Sequence, residues 1–280
     1  KLVEYLNAHK VNTVCWVVSA LTMISSFKTF DKVKPEHLHT IAFGSEVFPI
    51  KQFKLWRAAL PEAKFTNLYG PTEATGMSCY WPARDLAPDE AIPVGKPFRN
   101  TDLMLLTDEG RRAAPGEEGE ICLAGPTVML EYVKHPQETA QTRRVHADGL
   151  TWIHTGDLGY FNEDGLLFIS GRMKRIILTV QDNIGYKVFP IVPEEALAMH
   201  PAIQDVCVVA MSNDKDNRLK AFVSLKEENN LDEATVEKEL REIASNELNG
   251  YECPYLYEFR ANLPLTPAGK VDYKALEKQA

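Results

Sequence analysis

The sequence predicts an α/β layer with a largely parallel sheet, followed by a smaller α+β unit, and three observations predict it. Short β-branched runs alternate with helical spacing from the start of the chain to Leu68. From Pro93 the texture changes to short strands punctuated by Gly and Pro. After Arg172, helix and strand patterns return over a stretch of small-domain size.

Taken in order, Lys1 to Lys10 has the spacing of an amphipathic helix and lacks the layout of a signal peptide. Val14 to Val18 and Leu38 to Phe43 are apolar strand-like runs, the second ending at Gly44. Lys51 to Leu60 has helical spacing and is closed by Pro61. Lys64 to Leu68 is a further strand leading into the Gly70-Pro71 turn. Leu103 to Leu106, Glu120 to Leu123 and Leu166 to Ile169 predict antiparallel structure, a sheet or small β-barrel. Beyond them, Pro193 to His200 reads as a helix, and Asp205 to Met211 and Leu219 to Leu225 as strands. Asp232 to Leu248 reads as a charged helix with Asp232 as its N-cap. The expected division is 1–172 and 175–280, joined near Met173-Lys174.

Composition narrows the function. With 45% hydrophobic and 25% charged residues over 280 positions, the chain can build two cores. A formal charge of -8 gives no general attraction to nucleic acid or anionic lipid. The five cysteines are scattered and form no CxxC pair, so neither a disulfide framework nor a zinc site is expected. Cys15 and Cys207 lie in apolar runs and read as small buried hydrophobes. No apolar run reaches membrane-spanning length, and a cytoplasmic location is the default expectation.

Four segments carry the chemistry. Asn67-Leu68-Tyr69-Gly70-Pro71-Thr72-Glu73 groups a ring, a hydroxyl and a carboxylate around a tight turn. The ring can stack on a base, the hydroxyl can meet a phosphate and the carboxylate can hold Mg2+. Trp152 to Gly159 includes Thr155-Gly156-Asp157, read as a strand ending in a turn that presents a carboxylate to ribose hydroxyls. An Asx-turn that merely satisfies its own backbone is the plainer alternative. Gly171-Arg172 puts a guanidinium at a strand exit, where a solvated arginine is the plainer alternative. Leu263 to Asp272 holds two prolines and a glycine around Lys270, which either neutralises developing charge or is a solvated lysine before the last helix.

In this order the segments resemble the ANL superfamily of adenylate-forming enzymes: acyl- and aryl-CoA ligases, adenylation domains of nonribosomal peptide synthetases, D-alanine–carrier ligases and luciferases. The resemblance runs from Val11 to Ala280. It implies a partial adenylation domain followed by a small mobile C-terminal domain. The implied reaction condenses a carboxylic acid with ATP to an acyl-adenylate and passes the acyl group to a thiol, on CoA or on a carrier-protein phosphopantetheine. It further implies that Gly44, Ser45 and Glu46 lie along the adenine, with Asn67, Tyr69 and Gly70 in the same nucleotide site and Tyr69 stacked on the base. Thr72 would touch the α-phosphate and Glu73 would hold Mg2+. Asp157 and Arg172 would bind the ribose, Lys174 would be the hinge, and Lys270 would bridge acid and phosphate during adenylation.

The chain also departs from that family. The family's Thr/Ser/Gly-rich phosphate loop has no counterpart between Lys1 and Gly44, so the chain is expected to be the C-terminal half of a longer enzyme that needs its N-terminal half for adenylation. An unpaired sheet edge is expected where that half would pack. Glu131 precedes Tyr132 where the family has Gly, and Val180 to Asn183 adds residues near the thiol channel. The run Gly185 to Pro190 does not separate CoA from a carrier protein. The apolar Val17, Val18 and Ala20 point weakly to an apolar acid. A non-catalytic AMP-binding remnant, or a partner subunit for another chain, is the alternative function.

Overall fold

The protein is described by a computed structural model covering residues 1–27, 29–83, 91–182, 184–211, 216–266 and 270–280, with the backbone alone at Lys174. It resolves into two compact units, Lys1–Ser170 and Gly171–Ala280.

The first unit opens with α1 (Leu2–Ala8), β1 (Thr13–Val17), α2 (Val18–Ser26), β2 (Thr40–Gly44), α3 (Ile50–Ala59) and β3 (Lys64–Tyr69). β4 (Cys79–Pro82) and β5 (Lys96–Pro97) complete a five-stranded sheet in the order β1-β2-β3-β4-β5. The first three strands are parallel and the last two pairings antiparallel. Helical crossovers between neighbouring parallel strands follow from the alternating pattern in the sequence. Leu21, Ile41, Phe43, Phe53, Trp56 and Phe65 fill the core between helices and sheet. Within it, the rings of Phe53 and Phe65 meet edge-on at 5.4 Å.

α2 is the element the sequence hides. Its cap residue, Val17, offers no side-chain cap; instead Glu46 Oε2 accepts from the Ser19 amide at 3.1 Å, a carboxylate at the positive end of the helix. β1 lies at the edge of the sheet, and its side chains alternate in exposure. That alternation corrects one expectation: Cys15 is on the outward face and exposed, whereas Cys207 is buried as expected.

The second sheet of this unit comprises β6 (Asp102–Leu106), β7 (Gly119–Ala124), β9 (Thr151–Phe161) and β10 (Leu167–Arg172), in the order β10-β9-β7-β6. α4 (Pro136–Thr142) leads into β8 (Arg143–Val145), which pairs with β9. No pairing joins β6 to β10 among the described residues, so the expected barrel is an open antiparallel sheet. Ile121, Leu123 and Leu167 anchor its core.

In the second unit, β11 (Ile177–Gln181) and β12 (Ile184–Val188) form a hairpin. The additional residues noted around Val180 therefore lengthen a hairpin; Asn183 lies outside the described residues. α5 (Ile191–Ala198), β13 (Ile203–Ala210), β14 (Leu219–Leu225), α6 (Glu233–Glu247), β15 (Leu256–Arg260) and α7 (Tyr273–Glu277) follow. β14 is the central strand of three, antiparallel to β13 and parallel to β15. Asp232 caps α6 by accepting from Thr235 N at 2.8 Å, a contact of about 1 kcal/mol. Val236, Leu240 and Ala244 of α6 pack with Val208 and Val223 in the core. Among the described residues no helix is long and apolar enough to cross a membrane.

Candidate active site

The site is built at the carboxyl ends of the parallel strands, where loops leave the sheet. β2 ends at Gly44, and a Cβ there would come 2.3 Å from the Leu68 carbonyl oxygen, so only glycine lets β2 and β3 approach this closely. Ser45 follows with φ 73, and Glu46 is committed to the α2 cap. Asn67 is buried, and its amide donates to Pro93 O at 3.0 Å, tying the end of β3 to the Pro93 segment.

β3 runs out through Tyr69 into a compact turn. Ser78 N donates to Tyr69 O at 2.7 Å and Gly76 N to Pro71 O at 3.0 Å. Inside the turn, Thr72–Ala74 forms a short 3-10 helix ended by Thr75 in the left-handed region at φ 62. The segment before α4 clasps this turn. Met129 N donates to Glu73 O at 2.7 Å, Thr75 Oγ1 donates to Thr127 O at 2.6 Å, and the Tyr132 hydroxyl donates to Glu73 Oε1. Burial, and then that carboxylate, raise the Tyr132 phenol above its ordinary value, so it remains a donor.

Asp157 is delivered by a bulge. Thr151–Phe161 is one continuous strand, which corrects the expectation that it ends at Thr-Gly-Asp. Its register against β7 jumps from Cys122↔His154 to Glu120↔Leu158, so Thr155, Gly156 and Asp157 all face Ile121. Gly156 takes φ 71, the reversal that the bulge needs. Thr155 Oγ1 donates to Ile121 O at 2.8 Å and accepts from Asp157 N at 3.0 Å. Asp157 Oδ2 then accepts from the Tyr69 hydroxyl at 2.7 Å, which joins the two sheets of the first unit. Burial and the Asp157 charge hold the Tyr69 phenol well above its ordinary pKa, so it donates throughout the working pH range.

Glu120, Cys122 and His154 stand behind the bulge, their ligand-type atoms within 4.8 Å of one another. His154 Nδ1 is 2.7 Å from Glu120 Oε2, and the Gly156 amide donates to Glu120 Oε1 at 3.0 Å. Burial pushes Glu120 up, but the His154 hydrogen bond and charge, the Gly156 amide and Arg144 outweigh it and lower its pKa. Burial pushes the Cys122 thiol far up, so it stays protonated.

The first unit thus assembles Tyr69, Gly70, Thr72, Glu73 and Asp157, with Gly44, Ser45 and Glu46 at the neighbouring strand end. Arg172, Lys174 and Lys270 belong to the second unit. Arg172 ends β10, and the Lys174 side chain lies outside the described residues. Lys270 is exposed in a loop closed by Thr266 N donating to Lys270 O at 2.7 Å; Pro267 to Gly269 of that motif lie outside the described residues. Asp272 caps α7 just beyond it. Sequence reasoning gave no role to Glu120, His154 or Tyr132, because each acts on a residue distant in the chain. The glycine interposed at Gly156, between the apolar run Trp152-Ile153 and Leu158, was the available signal for the bulge.

Comparison with known proteins gives the arrangement a family. Residues 1–133 match the family described as AMP-binding enzyme, and residues 193–270 match the AMP-binding enzyme C-terminal domain. The chain is 40% identical over 233 residues to a long-chain-fatty-acid–CoA ligase of Bacillus subtilis, covering 81% of this chain and 38% of that protein. It is 30% identical over 267 residues to a D-alanine–D-alanyl carrier protein ligase of Streptococcus pneumoniae, covering 91% of this chain and 50% of that one. Its fold superimposes on the crystal structure of the anthranilate CoA ligase AuaEII in complex with anthranoyl-AMP with a TM-score of 0.85 at 25% identity, covering 100% of this chain and 52% of that one. The chain therefore spans 38%, 50% and 52% of the lengths of these three relatives. The chain belongs to the ANL superfamily of AMP-binding, adenylate-forming enzymes.

Proposed function

We propose that this chain carries the adenosine-binding part of an AMP-forming acid–thiol ligase. In the first half-reaction the acid's carboxylate oxygen attacks the α-phosphorus of ATP, and the bond to the leaving pyrophosphate breaks. In the second, a thiolate attacks the acyl carbon and AMP leaves. One observation carries the reading: the 2.7 Å bond from the Tyr69 hydroxyl to Asp157. It fixes, side by side, a ring able to stack on a base and a carboxylate able to accept both hydroxyls of a ribose.

Around that pair the remaining roles follow. The turn Gly70 to Thr72 lies next in the chain after the ring, so the Thr72 hydroxyl is assigned to the α-phosphate. Gly44 and Ser45, at the adjoining strand end, are assigned to the adenine edge, and Arg172 to the ribose. Glu73 suits a hard divalent cation, because Tyr132 fixes one oxygen of a carboxylate whose chemistry matches Mg2+. When bound, Mg2+ would supply positive charge against the phosphates. Lys270 would neutralise the carboxylate and α-phosphate as they meet, and Met173-Lys174 would be the hinge that withdraws it before thiol transfer. The thiol is assigned to CoA or a carrier-protein phosphopantetheine. The greater identity to the fatty-acid ligase supports an acid with an apolar chain.

The test is calorimetric titration of the chain and its Asp157→Ala form with AMP and with a non-hydrolysable acyl-adenylate mimic. Binding by the wild type that weakens at least tenfold in the variant is the expected result. Absence of binding by the wild type removes the adenosine-site reading.

A further inference from the structure

Glu120 spends both carboxylate oxygens on the bulge that carries Asp157. Oε1 accepts from the Gly156 amide at 3.0 Å, and Oε2 faces His154 Nδ1 at 2.7 Å. His154 and Gly156 bracket Thr155 and directly precede Asp157, so this one side chain grips both shoulders of the excursion. On the far edge of the same ring, His154 Nε2 is 3.0 Å from His146 Nε2. Two facing ring nitrogens can share only one proton. When His154 is neutral and gives Nδ1–H to Glu120, its Nε2 accepts and His146 donates. The tautomer is therefore set from both sides, by Glu120 on β7 and by His146 in the β8–β9 turn. Cys122 Sγ, 3.6 Å from Nδ1, adds a protonated thiol.

We propose that Glu120, held by the His154–His146 pair, is the positioning residue for Asp157 and so sets the ribose-hydroxyl contribution to nucleotide affinity. The inference rests on Asp157 as the ribose ligand. Its physical basis is economy of anchoring. Three residues of β9 oppose one of β7, so the regular pairing is interrupted across the bulge. Gly156 has no side chain with which to pack, and a Cβ there would meet nothing within 4 Å. Without Glu120, the Gly156 amide would lose its acceptor, and the turn would keep the bonds of the Thr155 hydroxyl but lose its anchor at the glycine. The Asp157 carboxylate would then leave the position in which the Tyr69 hydroxyl holds Oδ2. Glu120 itself need touch no nucleotide.

A positioning role predicts a selective defect. The probes are AMP and 2′,3′-dideoxy-AMP, titrated calorimetrically into the whole chain, and the readout is the ratio of their affinities. Two hydroxyls on an ionised carboxylate make that ratio about tenfold or more in the wild type. In Glu120→Met, which removes both acceptor oxygens at similar length, the ratio is expected to fall toward one, with dideoxy-AMP affinity moving less than about threefold, an effect that general loss of structure would not give. His154→Asn, whose amide can donate in place of Nδ1–H, should keep most of the ratio, and His154→Leu should lose it. This second pair carries the test if Glu120→Met does not fold. A ratio lost in Asp157→Ala but retained in Glu120→Met and His154→Leu overturns the positioning role alone. A ratio unchanged in Asp157→Ala overturns the ribose assignment on which it rests.

Discussion

The Arg175 guanidinium lies 4.8 Å from the centre of the Tyr273 ring, joining the residue just after the proposed hinge to the first residue of the helix that follows the Lys270 loop. The same guanidinium donates to Glu194 at 2.6 Å, and Glu194 Oε1 in turn accepts from Val208 N at 2.8 Å. One largely buried arginine thus ties α5, β13 and α7 of the second unit to the chain entering it.

Breaking this knot should loosen the second unit. Arg175→Ala leaves a largely buried Glu194 carboxylate unpaired, at a cost of about 3 kcal/mol. Tyr273→Leu, which removes only the ring beneath the cation, should cost about 1 kcal/mol. All four tryptophans lie in the first unit, so the measurement is amide exchange at Val208 and along β14. Equal protection in Arg175→Ala and wild type would contradict the assignment.

On the proposed assignment of Glu73 to Mg2+, the Tyr132 hydroxyl, which donates to one oxygen of Glu73, should tune metal affinity from outside the coordination sphere. In Tyr132→Phe the Mg2+ concentration giving half-maximal nucleotide binding should rise about tenfold. Affinity for AMP without metal should stay near wild type. A change in the metal-free affinity with no change in Mg2+ dependence would place Tyr132 in the fold alone.

Gly70 cannot accept a side chain. A Cβ would come 2.3 Å from Gly76 O and 2.6 Å from Ser78 N, both backbone atoms of the same turn. Gly70→Ala should therefore destabilise the first unit by about 2 kcal/mol or more and weaken AMP binding together with it. Urea unfolding followed by tryptophan fluorescence measures the first effect; an unshifted midpoint would mean that the turn can open without cost.

Glu117 gives the first unit an acid-sensitive contact. It accepts from Arg111 Nη1 at 2.7 Å and from Ala114 N at 2.8 Å, and first the Arg111 hydrogen bond and then the amide lower its pKa to about 2. A carboxylate in the unfolded chain titrates near ~4.3. The folded value is the lower one, so the contribution is fully present above the unfolded pKa and is lost as pH falls through the folded value. The melting temperatures of wild type and Glu117→Gln should differ at pH 6 and converge between about pH 4.3 and pH 2. A gap that stays constant over this window would show that the charge is not involved.

What the sequence made legible follows from how local each signal is. Leu219–Leu225 is a strand at both expected ends, because Leu219, Ala221, Val223 and Leu225 recur at the two-residue period of a strand. The charged helix beginning after Asp232 carries its own cap. α2 was hidden because its cap, Glu46, comes from beyond β2, and a β-branched Val17-Val18 run reads as strand. The open second sheet could not be told from a barrel, since closure depends on whether β6 meets β10. At the candidate site, Tyr69, Thr72, Glu73 and Asp157 were visible in short segments. Glu120 and Tyr132 were not, because their partners lie 36 and 59 residues away.

The outward face of β1 also has a practical consequence. Cys15 is the exposed thiol on a sheet edge; Cys79, Cys122 and Cys207 are buried and Cys253 is partly covered. A maleimide or disulfide reagent should therefore modify Cys15 first, making it a built-in chemical reporter. Whatever strand, segment or subunit comes to lie along that edge will announce itself as protection of a single cysteine, without any label having to be engineered.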